Sequence, residues 1–139
     1  MKDRIEEFYK EYAACYQSQD YDAVVAKLCV PLAFLSDSGP LVIPNQETLL
    51  KNFRALIEQY KRLGITEFTY YIEELQSLSN KIYLAKLQWS FKRKDGSLVY
   101  SSNTSYFLLV EPSQIRIIAV LLHDEQEKKE RALRAINKI

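Results

Sequence analysis

The segment KIYLAKLQWSFKRKDGSLVYSSNTSYFLLV, residues 81–110, decides the fold. Apolar and polar residues alternate on both sides of Asp95-Gly96, and an Asp-Gly pair between two alternating runs is a strong hairpin signal. Strands are therefore expected over 81–94 and 97–110. On the first, Ala85, Leu87, Trp89 and Phe91 share one face, while Lys86, Gln88, Ser90 and Lys92 share the other. The apolar set faces the core, because successive strand residues point to opposite sides. On the second strand both faces are mixed: Tyr100, Ser102, Thr104 and Tyr106 oppose Val99, Ser101, Asn103, Ser105 and Phe107. Alternation alone does not choose between them.

The same period of two extends outward. Residues 66–78 and 114–123 read as two further strands, with Asn80 and Pro112-Ser113 at the turns. On the last of these, Ile117, Ala119, Leu121 and His123 fall on one face. Upstream the period changes to 3.6. Ile5, Phe8, Tyr12 and Cys15 line one face of a helix over 3–18, widened by Tyr9 and Tyr16. Asp20 caps a second helix that buries Val24, Val25 and Leu28, and Pro31 stops it. A short strand over 32–35 runs into the turn cluster Ser36-Asp37-Ser38-Gly39-Pro40, with another short strand over 41–43. Asn45 caps a third helix carrying Leu49, Leu50, Phe53, Leu56, Ile57, Tyr60 and Leu63, and Gly64 suits its C′ position. After His123 the chain turns charged. DEQEKKERALRAINKI has only a weak apolar edge, Leu133 and Ile136, and reads as a marginal helix. The expected organisation is a single domain over 1–125 and a charged helical tail over 126–139.

Composition narrows the function classes. Lys plus Arg number 19 and Asp plus Glu 18, so the basic surplus needed for nonspecific nucleic-acid binding is missing. MKDRIEEFYKEY at the start holds no apolar signal core, and no run approaches the roughly 20 apolar residues of a membrane span. A cytoplasmic location is expected, with neither membrane nor nucleic acid as partner. Cys15 and Cys29 fall on predicted helices and are offset by roughly 8 Å along an antiparallel pair, which a disulfide tolerates poorly. Buried free thiols are the expectation. One histidine and two separated cysteines do not make a zinc site, so no metal and no cofactor is expected.

The segment QDYDAVVAKL (19–28), followed by a short strand, a capped third helix and four long strands, resembles the nuclear transport factor 2-like superfamily. This group contains SnoaL-like and ketosteroid isomerase-like proteins and shares a cystatin-like α+β topology. The resemblance implies a cone-shaped α+β fold, with three N-terminal helices packed on a strongly curved antiparallel sheet and a pocket open at one end. It also implies that the Thr104/Tyr106 face points inward. The candidate pocket is then Tyr12 and Tyr16 on the first helix, Phe34 and Ser36 on the short strand, Phe53 and Ile57 on the third helix, and Trp89, Thr104, Tyr106 and His123 on the sheet. Apolar and aromatic walls with a few hydroxyls suit a small hydrophobic or aromatic molecule.

The steroid isomerases place a tyrosine on the first helix, an aspartate on the short strand and a second acid on the sheet. Tyr12 matches the first. The strand position falls on Ser36, and Asp37 lies one residue late, on the opposite face. The second acid falls near Thr104. The isomerase acid pair is therefore absent, and the favoured reading is ligand binding without that chemistry. One alternative is a SnoaL-like cyclase, isomerase or dehydratase in which His123 moves a proton, Tyr12 donates a hydrogen bond and Glu125 orients the histidine. Another is a homodimeric interaction module. It would use the outer sheet face, where Lys86, Gln88, Ser90, Asn103, Ser105 and Arg116 surround Val99, Phe107, Ile118 and Val120.

Overall fold

The computed structural model describes residues 1–137. Its elements run α1 (Lys2–Gln17), α2 (Tyr21–Ala26), β1 (Leu28–Ser36), β2 (Gly39–Ile43), α3 (Gln46–Arg62), β3 (Ile65–Ser77), β4 (Ile82–Arg93), β5 (Leu98–Val110), β6 (Ile115–Leu122) and α4 (Glu125–Asn137). The local signals act where the sequence places them. Asp20 accepts the Ala23 N–H at 3.1 Å to start α2, and Asn45 accepts the Thr48 N–H at 2.9 Å to start α3. Gly64 ends α3 at φ +76°, a conformation that a Cβ disfavours.

The six strands form one curved sheet in the order β2-β1-β6-β5-β4-β3. All neighbours are antiparallel except β1 and β6, which run parallel. The α+β expectation therefore holds with one parallel pair inside the sheet, and the third helix follows the two short strands as expected. β1 is also longer than expected. It starts at Leu28 and contains both Cys29 and Pro31. Pro31 offers no N–H to a ladder, and it sits where the β1–β6 pairing shifts register between Leu28 and Ala33. Cys29 is thus a strand residue rather than a helical one. Both thiols are free, and both are half-buried rather than buried.

On the inner face the buried residues of β4 are Ala85, Leu87, Trp89 and Phe91, and those of β5 are Tyr100, Ser102, Thr104, Tyr106, Leu108 and Val110. These side chains face α1 and α3, whose Tyr9, Tyr12, Phe53, Ile57 and Tyr60 complete the core. The last strand departs from simple alternation. Phe107 pairs with Ala119 and Leu108 with Ile117, which leaves Ile118 as an extra residue. Such a bulge moves every later side chain to the other face. The inward residues become Ile117, Val120 and Leu122 instead of Ile117, Ala119, Leu121 and His123.

The charged C-terminal segment is an α-helix. Ala132, Leu133 and Ile136 of α4 pack on the core, and α4 contacts β5. Its start is fastened to the sheet. Asp124 Oδ1 accepts the Asn103 N–H at 2.8 Å, and Lys128 Nζ donates to the Ser101 carbonyl at 2.7 Å. No described helix is long and apolar enough to cross a membrane.

Candidate functional site

A cavity of about 140 Å³ opens between α1, α3, the inner sheet face and α4. Its walls are mainly aromatic. Tyr12 and Tyr16 lie one turn apart on α1, and their hydroxyls are 3.0 Å from each other. Trp89 donates its Nε1–H to the Tyr106 hydroxyl at 2.9 Å. The Trp89 ring lies beside Tyr12 and Tyr16, at centroid distances of 6.2 and 6.1 Å. Tyr60 stacks on Phe91 at 5.3 Å. Phe34, Phe53, Phe68 and Thr104 complete the sides.

Of the expected pocket residues, Tyr12, Tyr16, Phe34, Phe53, Trp89, Thr104 and Tyr106 line this cavity. Three others lie elsewhere. Ile57 is buried in the core and does not line the cavity. Ser36 shares the face of Phe34 but closes the β1–β2 hairpin, where its Oγ accepts the Ser38 N–H at 3.2 Å. Asp37 is an exposed residue of that turn. His123 is exposed outside the cavity, and its Nε2 lies 2.8 Å from the Ser105 hydroxyl on the outer sheet face. The bulge at Ile118 is the cause. The pairing of His123 with Tyr12 is therefore not assembled, and Val120, expected on the outer face, lines the cavity.

The cavity does contain a carboxylate, from an element that the strand pattern does not reach. Glu125, at the start of α4, projects under Tyr60 and Tyr100. Its Oε1 accepts the Tyr60 hydroxyl at 2.6 Å and the Tyr100 hydroxyl at 3.3 Å. Burial, reinforced by the Glu125 charge, pushes both phenols well above their ordinary range. Burial does the same to Tyr12 and Tyr106, with neighbouring phenols adding to it. Each hydroxyl thus stays a donor at neutral pH. Lys129, one turn beyond Glu125, also lines the cavity, with Asn52 and Gln126 beside it. Sequence reading missed Glu125 and Lys129 as pocket residues. The only available signal was their spacing of four, which places them on one helical face. Among the described residues no three His, Cys, Asp or Glu side chains converge to hold a metal.

Three comparisons bear on this arrangement. The profile of a family described as "NTF2-like protein (DUF6841)" matches residues 2–125. No curated protein matches. Solved structures give the same fold at low identity. An NTF2-like protein of unknown function from Shewanella oneidensis MR-1 superposes with a TM-score of 0.70 at 18% identity, over 88% of this chain and 98% of that one. Aln2 from a Streptomyces species reaches 0.68 at 12% identity, over 95% and 93%. A ketosteroid isomerase-like protein from Erwinia carotovora atroseptica reaches 0.61 at 13% identity, over 86% and 92%.

Proposed function

The chain belongs to the NTF2-like family DUF6841, and from that premise we propose that it binds a small hydrophobic or aromatic molecule in the cavity beneath α4. The supporting observation is the cavity itself: a space of about 140 Å³ with aromatic walls and few polar groups. Apolar walls with a few fixed hydrogen-bonding groups are the usual composition of a ligand pocket. The test is isothermal titration of the purified protein with toluene and benzyl alcohol, alongside native mass spectrometry before and after denaturation. Saturable binding is expected, abolished by the cavity-filling substitution Leu122→Trp. Absence of both binding and a dissociable small mass would sink the reading.

A catalytic version is favoured by one observation, the Glu125 carboxylate at the cavity wall. In that version Glu125, not His123, accepts the proton, and the Tyr60 and Tyr100 hydroxyls hold its carboxylate in position. Exchange of a ketone's α-protons in deuterated water, lost in Glu125→Gln, would separate an enzyme from a carrier.

The chain also pairs with a second copy through the outer sheet face. Half-buried Phe107 and Leu121 alternate there with the core residues. Sedimentation at micromolar concentration is expected to give twice the chain mass of 16.3 kDa, and a monomer would refute the pairing.

A further inference from the structure

Most of the buried polar groups of the cavity wall serve one another. Glu125 takes two tyrosine hydroxyls, Tyr12 and Tyr16 share a bond, and Tyr106 takes the indole N–H of Trp89. Lys129 has no such partner. It is only 9% exposed and lines the cavity. Among the described residues no carboxylate lies within 4.0 Å of its Nζ, and no side-chain hydrogen bond reaches it. The preceding residue shows the contrast: Lys128 is held by Asp124 at 3.0 Å and by the Ser101 carbonyl. A lysine ammonium at the wall of an apolar cavity, with no carboxylate in contact, is free to hold an anion by a charge-assisted hydrogen bond.

Size and shape narrow the ligand further. A cavity of about 140 Å³ is close to the roughly 150 Å³ engineered cavity known to accept benzene. We propose that the ligand is a single-ring aromatic carboxylate. Its ring lies among Tyr16, Phe53 and Trp89, and its anionic group meets the Lys129 ammonium. This rests on the small-molecule reading above and adds the charge and size of the ligand. Aromatic walls with a carboxylate also describe a site for an organic cation. Here, however, the carboxylate already accepts two phenols, and the unpartnered ammonium in the same cavity repels a cation.

The test compares three probes of one ring each, benzoate, benzyl alcohol and benzylammonium, by isothermal titration at neutral pH. Wild-type protein is expected to bind benzoate about tenfold or more tighter than benzyl alcohol, the gain of one charge-assisted contact. The ratio of the two affinities should fall to about one in Lys129→Met and persist in Lys129→Arg. The proposal is overturned if the wild-type ratio is one, if benzylammonium binds best, or if Lys129→Met keeps the preference. The wild-type comparison needs no variant, so a folding defect cannot blur it. If none of the three probes binds, the small-molecule reading fails as well, which is a different result from a pocket that binds rings without preferring the anion.

Discussion

Two buried phenols make opposite predictions. Tyr9 is fully buried and its hydroxyl has no partner among the described residues. Removing it deletes an unmet desolvation cost, so Tyr9→Phe is expected to leave stability unchanged or raise it by about 1 kcal/mol. The Tyr106 hydroxyl accepts the only N–H of Trp89's indole, so Tyr106→Phe orphans a buried donor and should cost about 1–3 kcal/mol. Urea unfolding midpoints of the two variants decide the matter. His123→Ala should reduce stability by no more than about 1 kcal/mol, through loss of the Ser105 bond, and leave probe affinity in the same titration untouched. The placement of His123 was not legible in the sequence, for a local reason. Ile115 to Leu122 is apolar at almost every position, so alternation carries no phase there and an extra residue at Ile118 leaves no trace. On β4, where Lys86, Gln88 and Ser90 interleave with Leu87 and Trp89, the phase was plain.

At the scale of elements, α4 is the unusual piece. Most of its thirteen residues are polar, and among the described residues its apolar contact with the core comes from three half-buried side chains, Ala132, Leu133 and Ile136. Helices held this way open at low free-energy cost. Hydrogen exchange over 125–137 should be the fastest among the four helices and should slow when the cavity is occupied. Acid should loosen this helix early. Partial burial raises the Asp124 carboxyl, but the Asn103 N–H and the Lys128 ammonium outweigh it and hold the group below the ordinary carboxylate range. A depressed folded value means that the clamp contributes fully above the unfolded value, about 3.9, and is lost as pH falls through the folded one. Exchange in α4 at pH 3, corrected for intrinsic rates, should therefore rise more than in α3, and Asp124→Asn should abolish the excess. The sequence pointed to a helix here but not to its position. Charged residues at 125 and 129 read as a solvated edge, and only the folded chain reveals that this edge is turned toward the aromatic cavity.

For the whole molecule, alkaline pH is the informative stress. The core buries Tyr9, Tyr12, Tyr60, Tyr100 and Tyr106, half of the ten tyrosines, and burial raises every one of them. A raised folded value means that this part of stability is intact below the unfolded phenol value of about 10 and is lost as pH rises beyond it. The buried phenols should ionise only together with unfolding, seen as coincidence of the ultraviolet phenolate signal and loss of near-ultraviolet dichroism. Independent titration before unfolding would contradict the burial. The architecture itself was largely readable, because Asp95-Gly96, Asn45 and Gly64 impose local geometry by themselves. The parallel β1–β6 pairing was not, since it joins segments far apart in the chain through no local rule, as in Leu28 with Ile117. One consequence of the cavity's construction is optical. The chain has a single tryptophan, and Trp89 forms part of the cavity wall. The rings of Tyr12, Tyr16 and Tyr70 lie within 6.2 Å of it, and Tyr106 is hydrogen-bonded to it. Light absorbed by those phenols passes to one indole, and that indole touches whatever enters. The protein therefore carries its own fluorophore in the cavity wall, and emission from an unlabelled sample would report any ligand that enters.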